Sequence, residues 1–220
     1  MAVRVDFLKS LPYFAGLEPN VLDAVRRRVY EKKAEKGEML AFEGEKSDVL
    51  YFVVSGVVKV FKTSADGKEQ IFRIIRPGES FNDVPVLGGG LNLVSAAAMV
   101  EVTLYAIKKS DLEAVMREHP QVAFNVIRVL SRRVTELISL VEDLSFRHVT
   151  SRLAKILLMQ VEEAGKGRSL HLTQQDLASM VGTAREVVVR SLRSMEEQGI
   201  LKRERHQLVI LDIEALWRLA

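Results

Sequence analysis

Five side chains between positions 185 and 193 are of types that can read a base edge. Arg185, Glu186, Val189, Arg190 and Arg193 fall toward one side of a helix that advances 100° per residue. An arginine can place two parallel N–H donors on the N7 and O6 acceptors of guanine, and a glutamate can accept from the amino group of cytosine. The opposite side carries Ala184, Val188, Ser191, Leu192 and Met195, a set suited to packing. A helix whose polar side is only solvated would segregate in the same way, so the flanking residues decide.

Thr173 with Asp176, and Thr183 with Glu186, each match a capping box. Two helix starts ten residues apart, with Gly182 just before the second, have helix-turn-helix spacing. Leu177 and Met180 would pack the first helix on the second. Beyond them, "GILKRERHQLVILD" reads as a two-stranded hairpin with Lys202, Arg203 and Arg205 near its turn, where cations can meet phosphates. The expected element is a winged helix-turn-helix. Its candidate DNA-contacting residues are Thr173, Thr183, Arg185, Glu186, Val189, Arg190, Arg193, Arg203 and Arg205.

Other chemistries find less support. The chain has no cysteine, which excludes disulfides, thiolate metal sites and an iron–sulfur cluster. Paired carboxylates, nucleophile motifs and metal-ligand spacings are not recognisable, so no enzyme and no metal site is expected. Gly88–Gly90 is a loop candidate and not a phosphate cradle, because no helix start with Lys follows. No apolar run approaches the ~20 residues that span a bilayer. The first 14 residues are too polar for a secretory signal. No membrane partner and a cytoplasmic location are expected. The net charge of +3 is uneven: residues 1–146 hold 20 basic and 20 acidic side chains, and residues 147–220 hold 12 and 9. A basic bias confined to the smaller part is consistent with a nucleic-acid surface there.

The elements that must position these residues change texture along the chain. Residues 18–30 suggest an amphipathic helix with Val21, Leu22, Val25 and Val29 inward. From Gly37 to Lys108 come short β-rich runs ("MLAFE", "VLYFVVSG", "VVKVFKT", "QIFRII", "LVSAAAMV", "VTLYAI"), with Asp66-Gly67 as a hairpin signal. Such strands suggest an antiparallel sandwich or barrel. The period then becomes helical. Ser110 and Glu113 match a capping box, and Pro120 suits a first helical position. The longest helix is expected over 120–146.

Along that helix Ala123, Ile127, Leu130, Val134, Leu137, Val141 and Leu144 recur in steps of four and three, a heptad seam. Val122, Val126 and Val129 form a second stripe. Both stripes need burial: either both lie in the core of a monomer, or one packs on the chain's own β domain and the other on the same helix of a second copy. The expectation is the second, with Ile127, Leu130, Val134, Leu137, Val141 and Leu144 as the dimerisation residues. The pattern resets at "SFRHVT", where Thr150 can cap the next helix. The expected fold is α+β, in three parts: 1–119 an antiparallel, jelly-roll-like β-roll, 120–146 a dimerisation helix, and 147–220 a winged helix-turn-helix.

The stretch "LTQQDLASMVGTAREVVVRSLRSMEEQGIL" resembles the DNA-binding signature of the Crp/Fnr family of bacterial transcription regulators. "KKAEKGEMLAFEGEKSDVLYFVVSGVVKVFK" resembles the start of that family's cyclic-nucleotide-binding-type β-roll, and the long helix matches its dimerisation helix. The resemblance implies a homodimer on a palindromic duplex. It implies half-sites related to TGTGA, with Arg185 and Arg190 on guanine and Glu186 on cytosine. It also implies RNA polymerase as a partner, met through the "TSADGKE" hairpin or the "EEAGKGRS" loop.

One departure concerns the effector. Cyclic-AMP receptors carry a Gly-Glu pair followed by a spaced Arg-Ser/Thr, the Arg neutralising the cyclic phosphate. The matching stretch is "GESFNDVPVLGGGLNLVSAAAMV", where Asp83 can stand for the Glu but Val94 occupies the Arg position. No Lys or Arg occurs between Arg76 and Lys108. A buried phosphate without a cation is strongly disfavoured. Leu137 and Ile138 stand where the helix would offer hydroxyls to the base. His119, His148, His171 and His206 lie outside the β-rich stretch 37–108, so haem would have to use Met99 or the terminal amine. The expectation is a small-molecule effector other than cyclic AMP, in a pocket lined by Phe72, Ile74, Phe81, Asp83, Val84, Leu87, Val94, Leu137 and Ile138. A filled core at these residues is the alternative. Rival functions are a cyclic-nucleotide-dependent regulator, and a binding module whose helical tail contacts protein.

Overall fold

The structure is a computed structural model that describes residues 3–165, 171–204 and 207–220. The chain divides into two compact units, residues 1–63 with 72–135, and residues 64–71 with 136–220.

The first unit begins with helix α1 (Val5–Ser10), a 3-10 turn at Pro12–Phe14 and helix α2 (Pro19–Arg26). Eight strands follow: β1 (Val29–Ala34), β2 (Met39–Ala41), β3 (Val49–Ser55), β4 (Val58–Thr63), β5 (Glu69–Ile75), β6 (Ser80–Phe81), β7 (Ser95–Ala98) and β8 (Val102–Lys108). They form two four-stranded sheets, ordered β1-β8-β3-β6 and β2-β7-β4-β5. Helix α3 (Asp83–Gly88) lies between β6 and β7, and helix α4 (Lys109–Glu118) leads to α5 (Pro120–Phe146).

The central strands β3 and β8 read as continuous apolar runs because both of their faces are buried. Leu50, Phe52, Tyr105 and Ile107 point to a core shared with α1, α2, α4 and the start of α5. The alternate residues Tyr51, Val53, Leu104 and Ala106 point to a second core, where Ala96 and Ala98 of β7 and Val58 of β4 meet them. Gly56 after β3 is required by space as well as by its φ of +83°: a Cβ there would lie 2.3 Å from the carbonyl oxygen of Glu101.

Two local expectations change. Val29 belongs to β1 and not to the preceding helix, which stops at Arg26. Val29 pairs with Ile107 and is buried, so tertiary pairing overrides the helical period. Strand β1 carries Glu31, Lys32 and Lys33 and sits at a sheet edge, which hides it from a hydrophobicity reading. Ser110 does not cap α4: the helix already starts at Lys109, whose N–H donates to the carbonyl of Asp48, 2.6 Å away. The Asp66-Gly67 turn is present, closed by Gly67 N–H to the Ser64 carbonyl at 2.9 Å.

The second unit contains the C-terminal part of α5, then α6 (Val149–Gly165), α7 (Gln174–Val181), α8 (Arg185–Glu197), the antiparallel pair β9 (Leu201–Glu204) and β10 (Gln207–Ile210), and α9 (Ile213–Leu219). Thr150 lies inside the first turn of α6 and not at its cap. One core holds these helices together: Leu153, Leu157 and Leu158 of α6, Leu177 and Val181 of α7, Val188, Leu192 and Met195 of α8, and Leu216 of α9. Asp212 caps α9 by accepting from the N–H of Ala215 at 2.8 Å.

Candidate nucleic-acid interface and effector site

Helix α7 opens with the expected capping box. The Asp176 N–H bonds the Thr173 hydroxyl at 3.1 Å, and the Thr173 N–H bonds the Asp176 carboxylate at 2.8 Å. It ends at Gly182, left-handed at φ +75°, whose N–H and that of Thr183 both return to the carbonyl of Ala178. This is a Schellman ending, and it takes Thr183 into the close of α7. The expected Thr183 cap on α8 is absent: α8 starts at Arg185, its N-cap position is Ala184, and Ala184 is exposed.

Helix α8 divides as its sequence requires. Val188, Ser191, Leu192 and Met195 are buried. Arg185, Glu186, Arg190 and Arg193 are exposed, and Val189 is half-buried beside them. Arg185 donates from Nε and Nη2 to the side-chain oxygen of Gln174, at 3.3 and 3.1 Å. Arg193 pairs with Glu197 one turn on, at 3.0 Å. That pair is exposed and contributes little to stability.

The wing is attached to α8 by charge. Arg203 of β9 donates from Nε and Nη2 to one carboxylate oxygen of Glu196, at 2.8 and 2.6 Å, and its backbone N–H reaches the other at 3.1 Å. These bonds hold the Glu196 carboxyl below its ordinary pKa. Lys202 pairs with Glu204 at 2.5 Å. Arg203, expected to meet phosphates, is thus engaged within the protein, and Arg205 lies outside the described residues.

In the first unit, Asp83 is the focus of a buried polar group. It is 4% exposed and accepts from the Tyr13 hydroxyl at 3.0 Å and the Ser80 hydroxyl at 3.4 Å. Arg133 of α5 forms an ion pair with it. Arg133 also donates from Nη2 to the Ser80 carbonyl and hydroxyl, at 2.7 and 2.8 Å. Burial and the adjacent carboxylate push the Tyr13 phenol well above its usual pKa. Arg133 lies outside the stretch between Arg76 and Lys108 that holds no cation, and it reaches this group from α5. A signal was present, because Arg133 continues the buried stripe of Val122, Val126 and Val129 at helical spacing.

The other expected effector residues are dispersed in environment. Phe81 is core, stacked on Tyr51 with centroids 5.1 Å apart. Leu87 packs partly on the first core. Ile74 and Val94 are half-buried, while Phe72 and Val84 are exposed. Leu137 and Ile138 fall in the second unit and are exposed.

Along α5, Val122 and Val126 are buried and Val129 and Leu130 pack partly on the first core. Ile127, Val134, Leu137, Val141 and Leu144 are 45–62% exposed. Among the described residues no group of three or more His, Asp or Glu could hold a metal, and no helix is long and apolar enough to cross a membrane.

Comparisons with known proteins agree with this architecture. Residues 31–119 match the cyclic nucleotide-binding domain, and residues 151–219 match the Crp-like helix-turn-helix domain. The chain is 30% identical over 221 residues to a CRP-like cAMP-activated global transcriptional regulator of Mycobacterium tuberculosis, covering 98% of this chain and 99% of that one. It is 31% identical over 195 residues to a cyclic AMP receptor protein of Thermus thermophilus, covering 89% and 90%. Its fold is similar to that of a crp/fnr-family transcriptional regulator from Eubacterium rectale, with a TM-score of 0.78, 21% identity and coverage of 96% and 98%. These relatives are regulators and not enzymes, and the chain belongs to the Crp/Fnr family of DNA-binding transcription regulators.

Proposed function

We propose that the protein is a homodimeric regulator that reads a palindromic duplex and is controlled by a small effector other than cyclic AMP. The observation that carries the DNA reading is the exposed set Arg185, Glu186 and Arg190 on a helix whose other side is buried. Arg185 and Arg190 would take guanine and Glu186 cytosine, in half-sites related to TGTGA. The dimer is supported by five exposed apolar residues at heptad spacing on α5. Two α8 helices one DNA turn apart, about 34 Å, would enter successive major grooves. An effector acts only by binding one arrangement of the two DNA-binding units better than the other. Contact with RNA polymerase is assigned to the 63–69 hairpin or to the stretch 162–169, whose first four residues end α6 and whose last four lie outside the described residues.

The effector reading rests on two features of the β-roll. Val94 offers a cyclic phosphate no charge, and Asp83 already accepts from Tyr13, Ser80 and Arg133. A ribose hydroxyl would have to share this buried carboxylate with those three donors. A second reading, dependence on cyclic AMP, is favoured by the relatives, a cAMP-activated regulator and a cyclic AMP receptor protein. Titrating the full-length protein with cyclic AMP in a calorimeter separates the two. No heat of binding is expected, and micromolar affinity would establish the second reading. For the DNA surface, Arg190→Ala is expected to abolish sequence-specific binding while leaving the fold and mass of the dimer intact. Unchanged DNA binding would refute the assignment.

A further inference from the structure

The guanidinium of Arg185 is held before any DNA arrives. Its Nε–H and one Nη2–H both go to Oε1 of Gln174, eleven residues earlier in the chain. We propose that Gln174 is a positioning residue that orients Arg185 for base reading, so that base preference at that position belongs to the pair. The inference rests on the reading of Arg185 as a guanine contact.

The two side chains are mounted on elements that share one core. Gln174 is the first residue of α7, inside the Thr173–Asp176 capping box that sets the backbone there. Arg185 is the first residue of α8. Leu177 and Val181 below the one, and Val188 and Leu192 below the other, belong to the same cluster. A guanidinium has five N–H donors in a fixed plane. The carboxamide oxygen takes the pair on the side edge, Nε–H with Nη2–H. The end edge, one hydrogen each from Nη1 and Nη2, is left as two parallel donors, the fork that fits guanine.

The chemical type at 174 matters as well. A carboxylate would hold the guanidinium more tightly but would place an anion beside the phosphates. A neutral amide orients Arg185 and leaves its charge available to DNA. Arg193, by contrast, is tied to Glu197 of its own helix.

The test uses the full-length protein and an operator it selects from a random duplex pool, in the presence of a small-molecule fraction of bacterial extract. Affinities are read by fluorescence anisotropy on that operator and on duplexes changed at the guanine whose preference Arg185→Ala removes. Freeing a long side chain before binding gives an expected loss of about 2- to 12-fold in guanine preference for Gln174→Ala. The same substitution should change nothing when Arg185 is already alanine. Gln174→Glu should retain the preference while binding every duplex more weakly. Position 174 is half-exposed and the cap belongs to Thr173 and Asp176, so Gln174→Ala should melt as the parent does. Equal weakening on all duplexes, or a loss that persists in the Arg185→Ala background, would overturn the proposal. If Arg185→Ala alone removes no base preference, the reading of Arg185 fails first and the proposal with it, a result visible without touching Gln174.

Discussion

Replacing Arg133 with methionine would strand the carboxylate of Asp83 in the β-roll. The side chains of the pair are 12% and 5% exposed, so water replaces little of what is lost. Breaking a buried pair by removing one partner costs about 3–5 kcal/mol. Asp83 would keep the Tyr13 and Ser80 hydroxyls, which places the expected cost near the lower end, about 3 kcal/mol. For a unit of this size that is a fall of about 10 °C in melting temperature. The double variant Arg133→Met with Asp83→Leu removes both charges, and replacing a buried pair by apolar residues is often neutral or stabilising. It should regain most of the loss. The assay is thermal and urea unfolding of the four proteins in the cycle, followed by circular dichroism. Trp217, the single tryptophan, lies in α9 and reports the second unit separately. A single variant as stable as the parent, or a double variant whose loss is the sum of the two singles, would refute the coupling.

Three further outcomes follow from the same geometry. Leu137→Glu with Val141→Glu places two charges on the exposed seam of α5 and is expected to give a monomer in analytical ultracentrifugation, with the secondary structure unchanged. Ala184→Ser supplies the side-chain cap that α8 lacks and should raise the stability of the second unit by about 0.5–2 kcal/mol in urea unfolding. Arg203 lowers the Glu196 carboxyl, so its contribution is present above the ordinary glutamate value of 4.5 and is lost as pH falls through the lowered one. The stability difference between the parent and Glu196→Gln should therefore be largest near neutral pH and vanish in acid, when measured by melting across pH.

Much of the DNA-binding unit is visible in one dimension because its determinants are local. The Thr173–Asp176 cap, the turn at Gly182 and the 3.6-residue spacing of Val188, Leu192 and Met195 each lie within a few residues of what they determine. The same holds for the Asp66-Gly67 turn and for α5 from Pro120 to Phe146. The errors fall where a local motif meets a stronger distant or competing partner. The Thr183 N–H goes to the Ala178 carbonyl, α4 starts at Lys109 with its N–H on the Asp48 carbonyl, and Val29 pairs with Ile107.

The amino-acid order alone therefore settled the class of the molecule: two architectures joined by a helix with two apolar stripes, and a polar helix edge of two Arg and a Glu. Helical and strand periods are properties of consecutive residues, and they need no knowledge of what lies across the core. The tertiary structure decided which charges meet. Asp83 and Arg133 are 50 residues apart and share no local pattern, and neither do Arg185 and Gln174 or Arg203 and Glu196 in their exact partners. Ion pairs and side-chain hydrogen bonds depend on ångström separations that only packing of whole elements sets. They fix which cations remain free for a ligand or for DNA.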